Sequence, residues 1–420
     1  MLQRTFEMNG VELLCKYNSD GGKKLINNTA NVSRIICGDK ELKGKIGYNT
    51  FAHQISVRGV LPWACENDSE ARQWMNGDNS QLLVYIDETY GINAKSYLRD
   101  GLKAAALNNC YNPVWEYLSG LKWDGRERVN TLLHDCLGAE DNEYNAEAMR
   151  LFMRGAVARI KHPGCKFDYM LTLLGGQGIG KSSFLAALAH DRTWFHDNFS
   201  SIDGDGAFEK LKGKWLAELA ELLATRKNKD VEAIKSFLTS QTDTFRTKYE
   251  QFAEDHPRCC VFAASTNNTM FLTDRTGNRR YLLIECGKYS PKIDIWEDSF
   301  ADYIDQCWAE IMVTEDGSPL VLSEEMQEEQ KDILSEHEEE DTKVGLIQEY
   351  LDSHRDKRVC VPELILYALD GDYRNAPRYL TTEIHSIVQN CEGWRPIQTK
   401  RSITTTKEFG KQKCYEYVGH

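Results

Sequence analysis

The amino-acid sequence predicts an α/β fold, and two observations lead to this prediction. First, the strand-like residues 171–174 are followed by the glycine-rich segment Gly175–Ser183 and then by a helical run that ends at Ala189. Second, the apolar segments 259–264 and 281–284 are typical of buried strands. A glycine-rich turn that joins a strand to a helix is typical of proteins that alternate the two elements.

The glycine-rich segment matches the pattern G-x-x-x-x-G-K-[ST]. In this pattern the glycines let backbone N–H groups surround phosphate oxygens, and the N-terminus of the following helix adds partial positive charge. Lys181 is predicted to reach the β- and γ-phosphates of ATP, and the Ser182 hydroxyl to bind Mg²⁺. The alternative is a glycine-rich turn that binds no ligand. The predicted nucleotide-binding residues are Gly175, Gly176, Gln177, Gly178, Ile179, Gly180, Lys181, Ser182 and Ser183.

Length and charge limit the class of protein. The chain has 420 residues, with 51 Lys and Arg against 64 Asp and Glu, which gives a net charge of −13. This balance argues against a protein that coats nucleic acid with its whole surface. Charges farther apart than about 8 Å are largely screened at physiological salt, so a local basic channel is compatible with the acidic total.

Cysteine usage and hydropathy indicate a cytoplasmic protein. The 13 cysteines stand singly apart from Cys259 and Cys260, and their spacing predicts neither a zinc site nor a disulfide framework. The apolar runs are too short to span a bilayer, and the N-terminus lacks the layout of a signal peptide. We therefore expect no association with a membrane.

Composition and periodicity divide the chain into five regions. The order of helical and strand-like patterns predicts helices before the glycine-rich segment, an acidic run after the α/β region, and three short helices followed by a hairpin at the end. The regions are a mixed α/β and helical N-terminal region (1–110), a helical collar (111–165), the α/β domain (166–320), an acidic helical linker (321–345) and a winged-helix-like C-terminal domain (346–420).

Two glutamates, Glu218 and Glu221, are candidates for the acids that a phosphate-binding loop requires. A nucleotide hydrolase of this kind needs one acid at the end of a neighbouring strand to hold Mg²⁺, and usually a second one to orient the attacking water. The segment 214–222 is equally typical of an amphipathic helix, where glutamates three positions apart form a solvated face.

Polar residues also follow or precede the two other predicted strands. Asn267 follows the strand 259–264, at the position where α/β proteins form ligand sites, and is a candidate to sense the γ-phosphate or hold the attacking water. Arg279 and Arg280 directly precede the strand 281–284. A guanidinium there could neutralise the charge that builds on a transferring phosphoryl group, in its own subunit or in a neighbour, or form an ion pair at the strand edge.

Taken together, these motifs resemble the superfamily 3 helicases of viruses, phages and plasmids. The closest resemblance is to the virulence-associated protein E family of replication proteins encoded by phages and genomic islands. It is carried by residues 175–183, 215–221, 264–267 and 277–281, and upstream by 112–114 and 121–125. The resemblance covers roughly residues 45 to 345.

The resemblance implies an AAA+-type P-loop ATPase core that assembles as a ring, usually a hexamer, with each ATP site shared between neighbours. Lys181 and Ser182 would then be the Walker A pair, with Ser182 and Glu218 at the metal. Glu218 and Glu221 would be the Walker B acids, Asn267 the sensor, and Arg279 or Arg280 the arginine finger. The Glu-x-x-Glu spacing differs from the adjacent acids of many AAA+ proteins and leaves the division of labour between the two glutamates open.

Several basic residues are candidates for DNA binding. The resemblance places a channel hairpin at residues 246–257, which makes Lys248 the first candidate. Basic residues also cluster in the predicted C-terminal hairpin, where they favour sequence-independent phosphate contacts or, equally, the solvated face of a protein-interaction module. The candidates are Lys248, Arg246, Lys235, Lys400 and Arg401.

The expected function is that of an ATP-dependent helicase or translocase of superfamily 3 type, which acts on single-stranded DNA in the replication of a phage or other mobile element. Its expected partners are single-stranded DNA, further copies of itself, and replication proteins of the host or the element. Two alternatives are a non-unwinding AAA+ switch that binds an origin or loads a partner, and a binding scaffold that has lost turnover.

Overall fold

The computed structural model describes residues 4–17, 22–65, 71–197, 199, 205–219, 228–245, 253–269, 278–315, 317–337, 342–397 and 403–419. The chain forms two compact units, Met1–His337 and Glu338–His420. No helix in these ranges is both long and apolar enough to cross a bilayer.

The first unit begins with two small sheets and three helices. The described elements are β1 (Arg4–Met8), β2 (Val11–Tyr17), β3 (Lys23–Leu25), α1 (Thr29–Gly38), β4 (Ile46–Asn49), β5 (Gln54–Arg58), β6 (Ala71–Gln73), α2 (Asn76–Tyr90), α3 (Leu98–Leu107) and β7 (Cys110–Tyr111). The sheets have the orders β1-β2-β3 and β6-β5-β4-β7. The mixed character predicted for this region is therefore present.

Asn31 ties α1 to β2, and the same helix packs closely on α3. The Asn31 side chain accepts from the Leu14 N–H at 2.7 Å and donates to the Leu14 carbonyl at 2.8 Å, so a buried amide satisfies backbone groups of the strand. A Cβ at Gly101 would lie 2.6 Å from a methyl carbon of Val32. Only glycine permits this approach of the two helices.

Three helices follow, α4 (Pro113–Gly120), α5 (Leu132–Leu137) and α6 (Glu143–Lys161). Asn112 caps α4 by accepting from two backbone N–H groups, and Pro113 occupies the first turn, where it costs no hydrogen bond. The predicted helices at 111–165 are present. Their apolar side chains, among them Leu132 and Phe152, belong to the same core as the strands of the sheet that follows. The region is thus part of the α/β core and not a separate layer.

The centre of the first unit is a parallel sheet. The described helices and strands of this part of the chain are β8 (Met170–Leu174), α7 (Lys181–Leu188), β9 (Phe195–His196), α8 (Asp205–Lys210), β10 (Leu216–Glu218), α9 (Asn228–Thr239), β11 (Thr242–Phe245), β12 (Glu254–Pro257), β13 (Val261–Thr266), β14 (Tyr281–Glu285), α10 (Ser299–Thr314) and α11 (Glu324–Glu336). Among the described residues the sheet has the order β14-β8-β13-β10-β9, and every pairing is parallel. Strands β11 and β12 form a separate antiparallel pair.

The sequence of segment 214–222 is compatible with a strand or with an amphipathic helix. In the structure it contains strand β10, Leu216–Glu218. The backbone N–H groups of Phe199 and Leu219 bond to carbonyls of the sheet, and Trp215 to Leu219 are buried. Tertiary packing in the middle of the sheet outweighs the helix propensity of alanine, leucine and glutamate. Glu221 lies outside the described residues.

The acidic run after the sheet contains α11, one face of which is buried. Met326, Gln330 and Leu334 form that face. The Gln330 amide donates to the carbonyls of Arg279 and Tyr281, at 3.2 and 3.0 Å. The helix is thus fixed to the start of β14 and differs from the solvated linker that its composition indicates.

The second unit contains α12 (Thr342–Ser353), β15 (Val359–Cys360), α13 (Val361–Glu363) with a π-helical turn at Leu364–Ala368, α14 (Arg378–Asn390), β16 (Trp394–Pro396), β17 (Ile403–Thr406) and β18 (Gly410–Tyr417). Strands β15, β18 and β16 form an antiparallel sheet, and β17 pairs with β18. Each of the three predicted helical segments coincides with a helix, and the predicted hairpin is β17–β18.

Candidate functional site

The glycine-rich segment forms a tight turn between β8 and α7, as predicted. Strand β8 is buried along its whole length, and α7 starts at Lys181. Gly178 and Gly180 have φ of +83° and +92°, which side chains disfavour. A Cβ at Gly175 would lie 2.7 Å from the Cys286 carbonyl oxygen. The backbone of the turn therefore requires glycine for both conformation and space.

Lys181 folds back over this turn. Its Nζ donates to the carbonyls of Gly175 and Gly176, each at 2.8 Å. Burial lowers the pKa of the Lys181 ammonium from its usual value. A cation held at the mouth of a glycine turn is placed to meet an anion that enters it.

Glu218 is the buried acid of the site. It ends β10 and is buried, with an exposure of 2%. Its Oε1 accepts from the Ser182 hydroxyl at 2.8 Å and from the Ser265 hydroxyl at 2.5 Å. The two serine oxygens lie 3.4 Å apart. The carboxyl ends of parallel strands meet at one edge of a sheet, which brings these three side chains together.

Ser265 is the residue of this group that the sequence prediction missed as a ligand. It lies near the end of β13, two positions before Asn267, inside the segment that carries the resemblance to the replication proteins. Its position near the end of a predicted strand was the feature of the sequence that could have indicated a role in the site. Its bond to the buried Glu218 carboxylate depends on the strand order, which the sequence did not provide.

A cleft of about 470 Å³ opens above these residues. It is lined by the glycine turn and α7 on one side and by the end of β13 on the other. Asn267 lines the cleft and is exposed. The lining residues are Gln177, Gly178, Gly180, Lys181, Ser182, Ser183, Ser265, Thr266, Asn267, Asn268 and Trp296.

Arg279 and Arg280 lie at the opposite edge of the sheet. Tyr281 pairs with Met170 and Glu285 with Leu174, so the arginines are next to the start of β8 while the glycine turn follows its end. Five strand residues span about 16 Å. The arginines therefore do not reach the cleft of their own subunit, which excludes that alternative. They line a second cavity of about 360 Å³ with Lys166, Asp168 and Gln327.

The candidate DNA-binding residues fall into two groups. Lys248, Arg246, Lys400 and Arg401 lie outside the described residues. Lys235 is on α9 and is 5% exposed. A lysine that is buried in this way does not contact a DNA backbone, so Lys235 does not fit the prediction. Its long side chain packs towards the interior from α9. Arg395, Lys407, Lys411 and Lys413 of the second unit are exposed.

The fold and the site define a parallel α/β protein with a ligand site at the carboxyl edge of its sheet. The chain belongs to the family of the virulence-associated protein E-like domain, whose model matches residues 118–340, more than half of the chain. The matched segment contains the glycine turn, Glu218, Ser265 and both arginines.

Among solved structures, the apo C-terminal region of NrS-1 (its residues 305–718) aligns over 94% of this chain and 100% of that chain, with 15% identity and a TM-score of 0.50. The A form of the same apo region aligns over the same shares at 15% identity and a TM-score of 0.49. At this identity the likeness concerns the fold alone. No curated protein gives a significant match to the sequence.

Proposed function

We propose that this protein is an ATPase that uses hydrolysis to move along single-stranded DNA during replication of a phage or other mobile element. The observation that carries the proposal is one cleft lined by Lys181, Ser182 and Ser265, with the buried Glu218 carboxylate bonded to both serine hydroxyls beneath it. Membership in the family of the virulence-associated protein E-like domain supports a role in replication.

The donor set of the cleft fits Mg²⁺. The ion prefers oxygen ligands and usually takes one or two from the protein, with the rest supplied by water and phosphate. Ser182 Oγ and Glu218 Oε1 lie 2.8 Å apart at the cleft floor and are the residues that would hold it. When bound, Mg²⁺ neutralises charge on the β- and γ-phosphates.

The remaining residues have separate tasks in hydrolysis of the γ-phosphate. The backbone of the glycine turn binds phosphate oxygens, and Lys181 leaves its two carbonyl partners to neutralise them. Asn267, exposed in the same cleft, orients the attacking water by a hydrogen bond. The bond between the γ-phosphorus and the bridging oxygen breaks as the water oxygen attacks, and ADP and phosphate leave.

The last group required is a cation for the charge that develops on the γ-phosphate. Arg279 and Arg280 of the same chain are at the far edge of the sheet, so the proposal assigns this task to the arginines of a neighbouring copy. A ring of copies in which the amino edge of one sheet faces the carboxyl edge of the next satisfies this requirement, and a hexamer is the expected size.

The proposal is tested by ATP hydrolysis with wild type, Lys181→Ala and the control Lys95→Ala, an exposed lysine away from the cleft. Each is measured with and without single-stranded DNA. We expect stimulation by DNA in wild type and control, and a loss of about 100-fold or more in Lys181→Ala. Equal rates in all three proteins would end the assignment. Separation of a forked duplex then distinguishes a helicase from an ATPase switch that does not unwind DNA.

A further inference from the structure

Trp296 is an exposed aromatic residue at the mouth of the cleft. Its side chain is 67% exposed, the most of any tryptophan among the exposed large apolar residues of the described ranges. It lines the cleft together with Lys181, Ser182 and Ser183. Phosphate binding gives no reason for an indole at this position.

The segment that carries Trp296 is anchored beneath it. The N–H groups of Lys292 and Ile293 donate to the Asp135 carbonyl, at 2.8 and 3.0 Å, and the Lys292 ammonium pairs with the Asp135 carboxylate at 2.8 Å. The backbone N–H of Trp296 donates to the Asp294 carboxylate at 2.9 Å. These bonds fix the backbone that presents the indole.

The indole is also placed directly against the glycine turn. Ile295 packs on the core, and a Cβ at Gly180 would lie 2.2 Å from Ile295 Cδ1 and 3.6 Å from Trp296 Cζ2. Gly180 is the residue before Lys181, so the aromatic ring stands beside the phosphate site and not at a distant part of the cleft.

We infer that Trp296 is the surface on which the base of the bound nucleotide stacks. The inference rests on the proposed function, because it assumes that the phosphates of a nucleotide occupy the glycine turn. A ligand whose phosphates lie there extends its base along the cleft wall, where the indole offers a flat apolar face. Aromatic rings stack on any base, and the larger purine ring system covers more of the indole. Stacking on Trp296 therefore adds affinity for a purine nucleotide beyond that of its phosphates, and it does not by itself distinguish adenine from guanine.

The test separates the base from the phosphates. Binding of two probes, adenylyl imidodiphosphate and inorganic tripolyphosphate, is measured by calorimetry in the presence of Mg²⁺ with the full chain. The variants are Trp296→Ala, Trp296→Phe and the control Trp115→Ala, whose residue is 37% exposed and does not line the cleft. We expect Trp296→Ala to weaken nucleotide binding by about 5- to 150-fold, the range for one stacked base, and to leave tripolyphosphate binding unchanged.

The remaining variants complete the test. Trp296→Phe keeps most of the nucleotide affinity, and Trp115→Ala keeps all of it. Nucleotide binding by Trp296→Ala equal to wild type, or an equal loss for both probes, overturns the assignment of Trp296 and leaves the proposed function intact. If wild type binds neither probe, the proposed function fails, and the assignment fails with it.

Discussion

The two edges of the parallel sheet differ in chemistry. At the carboxyl edge the Ser182 and Ser265 hydroxyls both donate to the Glu218 carboxylate, and the Lys181 ammonium beside them donates to the carbonyls of the glycine turn. At the amino edge Arg279 and Arg280 line a different cavity, about one strand length away. The carboxyl edge therefore combines an ammonium, two hydroxyls and a buried carboxylate, whereas the amino edge carries two guanidinium groups beside Lys166 and Asp168. The difference is explained if the two edges act on one another between copies of the chain.

A pair of histidines, His53 and His256, lies near the amino edge of the sheet. His53 and His256 stack edge to face beside Lys212, in a cavity next to the start of β13. Burial, then the charges of His256 and Lys212, lower the pKa of His53 to about 4. Burial and then Lys212 also lower the pKa of His256. Burial is the larger cause for both histidines, and the Lys212 ammonium adds to it, so protonation of either imidazole is disfavoured in this cavity.

The largest expected effect comes from the arginines. Replacing both by alanine, Arg279→Ala with Arg280→Ala, should lower ATP hydrolysis by about 10³-fold or more, the range for an arginine that stabilises a transferring phosphoryl group. Nucleotide affinity should change little, because the arginines lie outside the cleft of their own chain. Steady-state phosphate release and nucleotide binding measure the two quantities, with Arg99→Ala as a control on the exposed face of α3. A rate within tenfold of wild type would place the essential cation elsewhere.

Glu218→Gln should lower hydrolysis by about 10²-fold, comparable to the loss of one transition-state contact. The amide keeps an acceptor for Ser182 and Ser265 but removes the negative charge that favours Mg²⁺. The Mg²⁺ concentration for half-maximal activity should therefore rise in the variant, and a titration of activity with Mg²⁺ measures it. Glu88→Gln, on α2, is the matched control. An unchanged Mg²⁺ requirement would remove Glu218 from the metal site.

Ser265→Ala should cost less, about tenfold in hydrolysis, because it removes one neutral hydroxyl that donates to a carboxylate. The carboxylate keeps its bond from Ser182, so the cluster remains but loses orientation. Ser265→Thr retains the hydroxyl and should restore most of the activity. If threonine and alanine at position 265 reduce the rate equally, the hydroxyl is not responsible for the effect, and the loss comes from packing.

The smallest expected effect concerns pH and the amino edge. His53 has a lower pKa in the folded protein than the usual value of 6.5, so the unfolded chain binds more protons between pH 6.5 and 4. The free energy of unfolding should therefore decrease as the pH falls through this window. His53→Gln should weaken that dependence, as measured by urea unfolding at pH 7 and pH 4.5. The same pH dependence in the variant and in wild type would show that His53 is not the responsible group.

The sequence predicted the glycine turn, its flanking strand and helix, Asn267 after one strand, and the two arginines before another. These features depend on local spacing. The turn is also easy to recognise, because its glycines and the following lysine and serine stand at fixed positions. The helices of residues 111–165 and of the second unit were also predicted, because their apolar periodicity is local.

Other parts of the site depend on contacts that are distant in the chain. Glu218 could not be distinguished from a residue of an amphipathic helix until its segment was seen between β13 and β9, and Ser265 gains its importance only from the neighbouring Glu218. The acidic composition of α11 gave no sign of Gln330, whose side chain points inward to β14. Lys235 was a candidate for DNA binding, whereas in the structure it is 5% exposed.

The most direct test of a site shared between two edges is a mixing experiment. The variant Lys181→Ala, which has an impaired carboxyl edge, is combined before assembly with the variant that lacks Arg279 and Arg280, which has an impaired amino edge, and ATP hydrolysis is measured with single-stranded DNA. If neighbouring copies share each site, about one quarter of the interfaces in an equimolar ring combine two intact edges, and activity returns although each variant alone is inactive. Activity that stays at the level of the separate variants would contradict a shared site.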